Sequence, residues 1–153
     1  ETAIQLTLTE LNENLREIYI EAYSQSEAHE YILQETAKEL YQIFGAYNPD
    51  MTLRDFYEMD IGSISIMCGY MAHPCDENLT LEKKIRLFLT MSLRVYGVPQ
   101  EEREQAIRFV EVLDIRTISE RVIQKLFEAL AMRYEFSLQD IAQIVPAKTQ
   151  TTE

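Results

Sequence analysis

The sequence predicts an all-α single domain, a bundle of six to eight helices with a buried central helix, and three observations predict it. Glycine and proline are scarce, four of each in 153 residues, which leaves little material for a turn-rich sheet protein. Apolar residues recur three and four apart through most of the chain, the period of a helix that buries one face. Short polar residues that can cap a helix stand before most of these runs. The length suits one compact domain, and 46% hydrophobic with 26% charged residues is ordinary globular usage.

Thr7-Leu8-Thr9-Glu10 has the form of a capping box, and Leu8, Leu11, Leu15, Ile18, Tyr19 and Ala22 follow on one face, so a first helix is expected near 8–23. Ser24-Gln25-Ser26-Glu27 repeats the box and opens a second helix that stops at Gly45, forming an antiparallel hairpin with the first. Tyr47-Asn48-Pro49-Asp50 is a turn, because proline fixes φ and restricts the residue before it. Thr52-Leu53-Arg54-Asp55 then starts a short helix. From Asp60 to Ala72 the apolar residues Ile61, Ile64, Ile66, Met67, Tyr70 and Met71 lie nearly all round, as in a buried helix. Gly62, Ser65, Gly69 and Ala72 would let a neighbouring backbone come close, while the β-branched isoleucines would also suit a strand; helix is the preferred assignment.

His73-Pro74-Cys75-Asp76-Glu77-Asn78 breaks the chain, and Leu81, Ile85, Phe88, Leu89 and Tyr96 mark a helix ending at Gly97. Pro99, followed by Glu101 and Glu102, opens a helix to about Asp114, its acids complementing the N-terminal dipole. Thr117-Ile118-Ser119-Glu120 is a further capping box, and Ser137 is expected to cap a last short helix through Val145, with a flexible tail over 146–153. One domain over 1–145 results, without repeats or low-complexity segments.

Charge divides this chain as nothing else does. Residues 1–77 carry 15 acidic and 3 basic side chains, residues 78–153 eleven of each, so the whole net charge of −12 belongs to the first half. A field of one sign steers encounter with a partner of the other sign and keeps the domain dispersed in water. The same charge argues against direct nucleic-acid binding, which needs clustered Lys and Arg for phosphates. No run of about 18 apolar residues is present and Glu1 to Leu6 lack a signal-peptide pattern, so no membrane partner and a cytoplasmic location are expected. Two cysteines, Cys68 and Cys75, fit thiols in a reducing compartment, where the sequon Asn78-Leu79-Thr80 has no meaning.

No catalytic, cofactor-binding or metal-ligating set emerges. Glu10, Glu13, Glu17 and Glu21 fall at near-helical intervals on the polar side of the first helix, where solvation keeps carboxylates from acid–base work. Cys68, His73, Cys75, Asp76 and Glu77 offer metal-ligand types, but six residues separate the thiols and Pro74 stiffens the middle, unlike structural zinc sites. The four glycines are isolated, so no phosphate-cradling loop is formed. The expected function is therefore a non-enzymatic protein–protein interaction module, an adaptor, assembly chaperone or regulatory factor that offers Glu10, Glu13, Glu17 and Glu21 to a basic protein partner. Tyr23, Tyr47 and Tyr57, near element ends or off the apolar stripe, are its candidate anchors. Two other classes stand beside it: a transcription regulator or nucleic-acid mimic acting on a DNA-binding protein, and a metalloprotein or enzyme centred on Cys68, His73 and Cys75. Extra apolar residues such as Leu33, Ile66 and Ile107 are compatible with a homodimer.

Within Ala129 to Val145, Ser137-Leu138-Gln139-Asp140-Ile141-Ala142 resembles the opening of the first helix of a helix-turn-helix DNA-binding unit. Pro146 replaces the usual turn, Lys148 is the only basic residue after Arg133, and too few residues follow Thr149 for a recognition helix. A capped terminal helix packing Ile141 and Val145 is the preferred assignment.

Overall fold

The computed structural model describes residues 1–24 and 26–144, with side chains for 1–24, 27–130 and 132. The expected all-α bundle is observed. Seven α-helices and no strand occur among the described residues: α1 (Thr2–Leu11), α2 (Glu13–Ser24), α3 (Ser26–Phe44), α4 (Leu53–Ala72), α5 (Leu81–Val95), α6 (Gln100–Glu111) and α7 (Ile115–Ile144). A 3-10 turn, Gly45–Tyr47, follows α3. Residues 1–119 form one compact unit, and the described residues from 120 onward belong to another. The polar tail expected over 146–153 lies outside the described residues.

The single helix expected over 8–23 is two helices. Asn12 is extended (φ −145°, ψ 115°), and its Oδ1 accepts the Leu15 N–H at 3.0 Å, so it ends α1 and caps α2. Thr7 and Thr9 do not cap; their hydroxyls donate back to the Ala3 and Leu6 carbonyls from inside α1. Thr52, by contrast, starts a helix as expected; it forms a capping box with Asp55, and it opens not a short helix but the whole of α4.

Helix α4 packs most extensively on α3 and also meets α1, α2 and α5. One face, from Phe56 through Ile64 to Met71, is buried; the opposite stripe is open. Ile61 is 42% exposed, and a Cβ added to Gly62 or Gly69 would meet nothing within 4 Å. The small residues that appeared to invite a neighbouring backbone therefore face solvent, and α4 is central without being enclosed. Ala3 and Leu6 of α1, Met67 and Met71 of α4, and Ile85 and Phe88 of α5 form the main core cluster. At the other end Tyr96 stacks between Phe44 (5.1 Å, 5°) and Phe56 (6.0 Å, 1°), which joins the ends of α3 and α5 to α4.

Gly97 ends α5 in the left-handed region (φ +71°), with Val98 N–H returning to the Leu93 carbonyl and Gly97 N–H to that of Arg94, a Schellman closure. Asn48 clamps this corner, its Nδ2 donating to the carbonyls of Phe44 and Tyr96. A Cβ on Gly97 would stand 2.7 Å from Asn48 Oδ1. Gly97→Ala is expected to cost about 2–3 kcal/mol in urea unfolding, through left-handed strain and the displaced clamp, whereas Gly62→Ala should be neutral or gain about 0.5–1 kcal/mol.

At the C-terminal end the Thr117 box is replaced by Asp114, whose Oδ1 accepts the Thr117 N–H at 3.0 Å, and α7 starts three residues earlier than a Thr117 cap would allow. The helix continues through Ser137 to Ile144 without the expected restart, so the segment resembling a helix-turn-helix opening is the C-terminal part of a long helix. In the second unit Val122, Leu126, Phe127 and Leu130 are exposed along α7.

Candidate functional site

The break at Asn12 separates the four glutamates expected to share a face. Glu13, Glu17 and Glu21 remain together, exposed at four-residue intervals along α2. Glu10 is partly buried at the end of α1 and belongs to the interior. Helix α3 adds exposed Glu27, Glu30, Glu35 and Glu39, of which Glu35 pairs with Lys38 at 2.7 Å. Three large apolar side chains are more than half exposed on these acidic helices: Ile43 at 61% near the end of α3 and, each next in sequence to a glutamate, Ile18 at 59% and Tyr31 at 67%. None was singled out as an anchor from the sequence, Ile18 because it fits the apolar stripe of an unbroken first helix.

The three candidate tyrosines are committed within the fold. Tyr23 stacks on Tyr19 (6.4 Å, 23°) and its hydroxyl accepts from Gln5 Nε2 at 3.5 Å; burial first, then the nearby Cys68 and Tyr19, pushes its phenol up to about 12. Tyr47 donates to Glu102 at 2.6 Å, tying the 3-10 turn to α6, and Tyr57 donates to Glu30 at 2.7 Å, tying α4 to α3. Tyr47 and Tyr57 remain reachable at the surface, but Tyr23 is largely core.

Glu10 is half of an internal centre that the sequence did not reveal. Lys84 of α5 is only 1% exposed, and its Nζ donates to Glu10 Oε2 at 3.0 Å and to the His73 carbonyl at 2.6 Å. Glu10 Oε1 accepts the Cys75 N–H at 2.9 Å. Burial alone would raise the Glu10 carboxyl, yet the Cys75 N–H and Lys84 together hold it below its ordinary value. The centre ties α1, the 73–79 loop and α5 at one point, beside a groove of about 730 Å³ lined by Glu10, Cys75, Ile85 and Val110.

Cys68, His73 and Cys75 do not assemble a site. His73 Nδ1 lies 2.8 Å from the Gly69 carbonyl, and no group of three or more His, Cys, Asp or Glu placed to hold a metal occurs among the described residues. Burial raises both thiols, and the Glu10 carboxylate raises Cys75 further.

A second buried charge lies in α4. Asp60 is 2% exposed; its Oδ1 accepts the Tyr96 hydroxyl at 3.3 Å, and its Oδ2 has no partner. Burial pushes this carboxyl up to about 6. Asp60 lines a cavity of about 510 Å³ together with Ser63 and Ser92, whose hydroxyls are 3.3 Å apart. No helix among the described residues is long and apolar enough to cross a membrane. No protein-family model, curated protein or solved structure matches the chain.

Proposed function

We propose that this protein is a non-enzymatic interaction module that docks a protein with a basic surface on α2 and α3. The observation that carries the reading is the exposure of Ile18 and Tyr31 on helices whose other exposed residues include Glu13, Glu17, Glu21, Glu27 and Glu30. Apolar anchors inside a charged rim are the common anatomy of a transient interface: the anchors supply affinity, while the carboxylates steer the encounter and set its salt dependence. Glu10, spent on Lys84, is not part of this surface. Tyr47 and Tyr57 lie at its side as hydroxyls already engaged with glutamates.

A regulatory factor that captures the basic surface of a DNA-binding protein would use the same face, and the identity of the partner decides between that and an adaptor. Replacing Glu13, Glu17 and Glu21 together by Gln is expected to weaken capture of the native partner about tenfold at low salt, with a smaller difference at physiological salt. Ile18→Ala with Tyr31→Ala should weaken it at both. Binding undiminished in both variants overturns the assignment and moves the working surface elsewhere.

A further inference from the structure

The groove beside the Glu10–Lys84 tie lies within residues 1–119, between the end of α1, the 75–80 loop, the start of α5, the end of α6 and the first turn of α7. At about 730 Å³ it falls in the roughly 300–1,000 Å³ range of ligand sites. Its lining is graded. Ile85 is buried and Leu11, Leu81, Val110 and Ile115 are half-buried, whereas Asp76, Glu82, Glu111 and Asp114 are exposed. The deeper polar groups are already engaged: the Thr7 hydroxyl donates to the Ala3 carbonyl, and Glu10 accepts from Lys84 and from the Cys75 N–H. The interior therefore offers contact to apolar groups, and the charge left to an occupant sits on the rim.

That rim is negative. Glu111 is paired with Arg86, but Asp76, Glu82 and Asp114 outnumber the single guanidinium in the lining, that of Arg116. Lys83 donates to the Asn78 carbonyl and is not part of the lining. An acidic segment would add like charge, and a basic segment without apolar side chains would leave Leu81, Val110 and Ile115 in contact with water. A second copy of this chain would bring its net charge of −12 toward the same carboxylates. Apolar side chains flanked by cations complement both features.

We propose that this groove docks a short segment of a partner protein in which Lys or Arg flanks leucine-sized side chains, the apolar groups entering beside Ile85 and Val110 and the cations reaching Asp76 and Glu82. Apolar anchors give such a contact its affinity, and the carboxylates give it orientation and on-rate. No residue of α2 or α3 lines the groove, so it is a second docking surface, and it stands whether or not those helices capture a partner.

Three fluorescein-labelled peptides of equal length probe the full chain by anisotropy at physiological salt: a Lys/Leu peptide patterned as an amphipathic helix, the same pattern with Ser in place of Leu, and the same with Glu in place of Lys. The Lys/Leu peptide is expected to bind one-to-one, about tenfold or more tighter than either control. Cys75 lines the groove and Cys68 does not. Saturating Lys/Leu peptide should therefore slow alkylation of Cys75 by N-ethylmaleimide several-fold and leave that of Cys68 unchanged, as read by mass spectrometry. Glu82→Lys and Leu113→Ser, both at exposed lining positions, should each weaken binding about threefold or more, whereas joint replacement of Glu13, Glu17 and Glu21 by Gln should leave it within about twofold. Thermal unfolding checks that each variant is folded. No binding at millimolar concentration, equal binding of either control peptide, a Cys75 left unprotected, or unchanged affinity in either folded groove variant overturns the proposal. The capture experiment on α2 and α3 uses other variants, so the two readings fail separately.

Discussion

Replacing Lys84 by Met is expected to destabilise residues 1–119 by about 3 kcal/mol or more in urea unfolding. The lysine itself has little water to lose, being 1% exposed, and its methylenes are matched by the methionine. What changes is the residue left behind. Glu10, whose side chain is 20% exposed, would keep its charge without its partner, and the His73 carbonyl would lose a 2.6 Å donor. Breaking one side of a buried pair costs several times what the pair adds to stability. Glu10→Gln should cost less, and the double variant less than the sum of the two, because the second change removes the orphan the first creates. The sign with pH follows from Glu10: its folded carboxyl sits below the ordinary value, so its contribution is present above the normal carboxylate range and is lost as pH falls through it. Acid unfolding of Lys84→Met should therefore begin from a lower plateau and lose less over that range.

Asp60→Asn is expected to act in the opposite direction. A carboxyl raised from 3.8 to about 6 favours the protonated form in the folded chain, so its stabilising contribution is complete below about pH 3.8 and is lost as pH rises to about 6. A shift of about two units corresponds to about 3 kcal/mol between these limits. The neutral amide imitates the protonated acid and can still accept from Tyr96. The stability advantage of Asp60→Asn over the parent chain should grow from about pH 4 to pH 6, by up to about 3 kcal/mol, and stay level above. Urea unfolding at pH 4.0 and 7.5 measures it. An advantage independent of pH would mean that the burial of Asp60, rather than its charge, is what the substitution relieves.

The helical class was legible because it rests on many weak signals that agree: scarce glycine and proline, apolar residues three and four apart, and caps such as Thr52 that work as read. Boundaries failed where two helices follow each other with little interruption. Asn12 occupies one residue between α1 and α2, too short a gap to break the apolar period running from Leu8 to Ala22, so the hinge had no signature except a capping residue mid-run. Ser137 misled in the other direction, since a serine inside a helix looks the same in sequence as one that starts it.

The polar interior was legible in hindsight by register alone. Lys84 falls on the same stripe as Leu81, Ile85 and Phe88, and Asp60 on that of Phe56, Ile64 and Met67, positions at which a charge has to be buried and answered. Attention to the number of carboxylates drew notice to Glu10 as one of a row, whereas its place at the end of α1 determines its role. Of Cys68, His73 and Cys75, conspicuous as residue types, His73 is engaged by the Gly69 carbonyl and Cys75 by Glu10.

The tie between Glu10 and Lys84 also bears on how the chain is made. Ribosomes release the acidic residues first, and through residue 77 the emerging segment holds the whole net charge of −12 with only three basic side chains to offset it. Ala3 and Leu6 share their core with Met67 and Met71 but also with Ile85 and Phe88 of α5, which come only after residue 77, as does Lys84, the ammonium that answers Glu10. Like charges in so acidic a segment repel one another and other copies, and α5 brings both the rest of the core and the cation that answers Glu10.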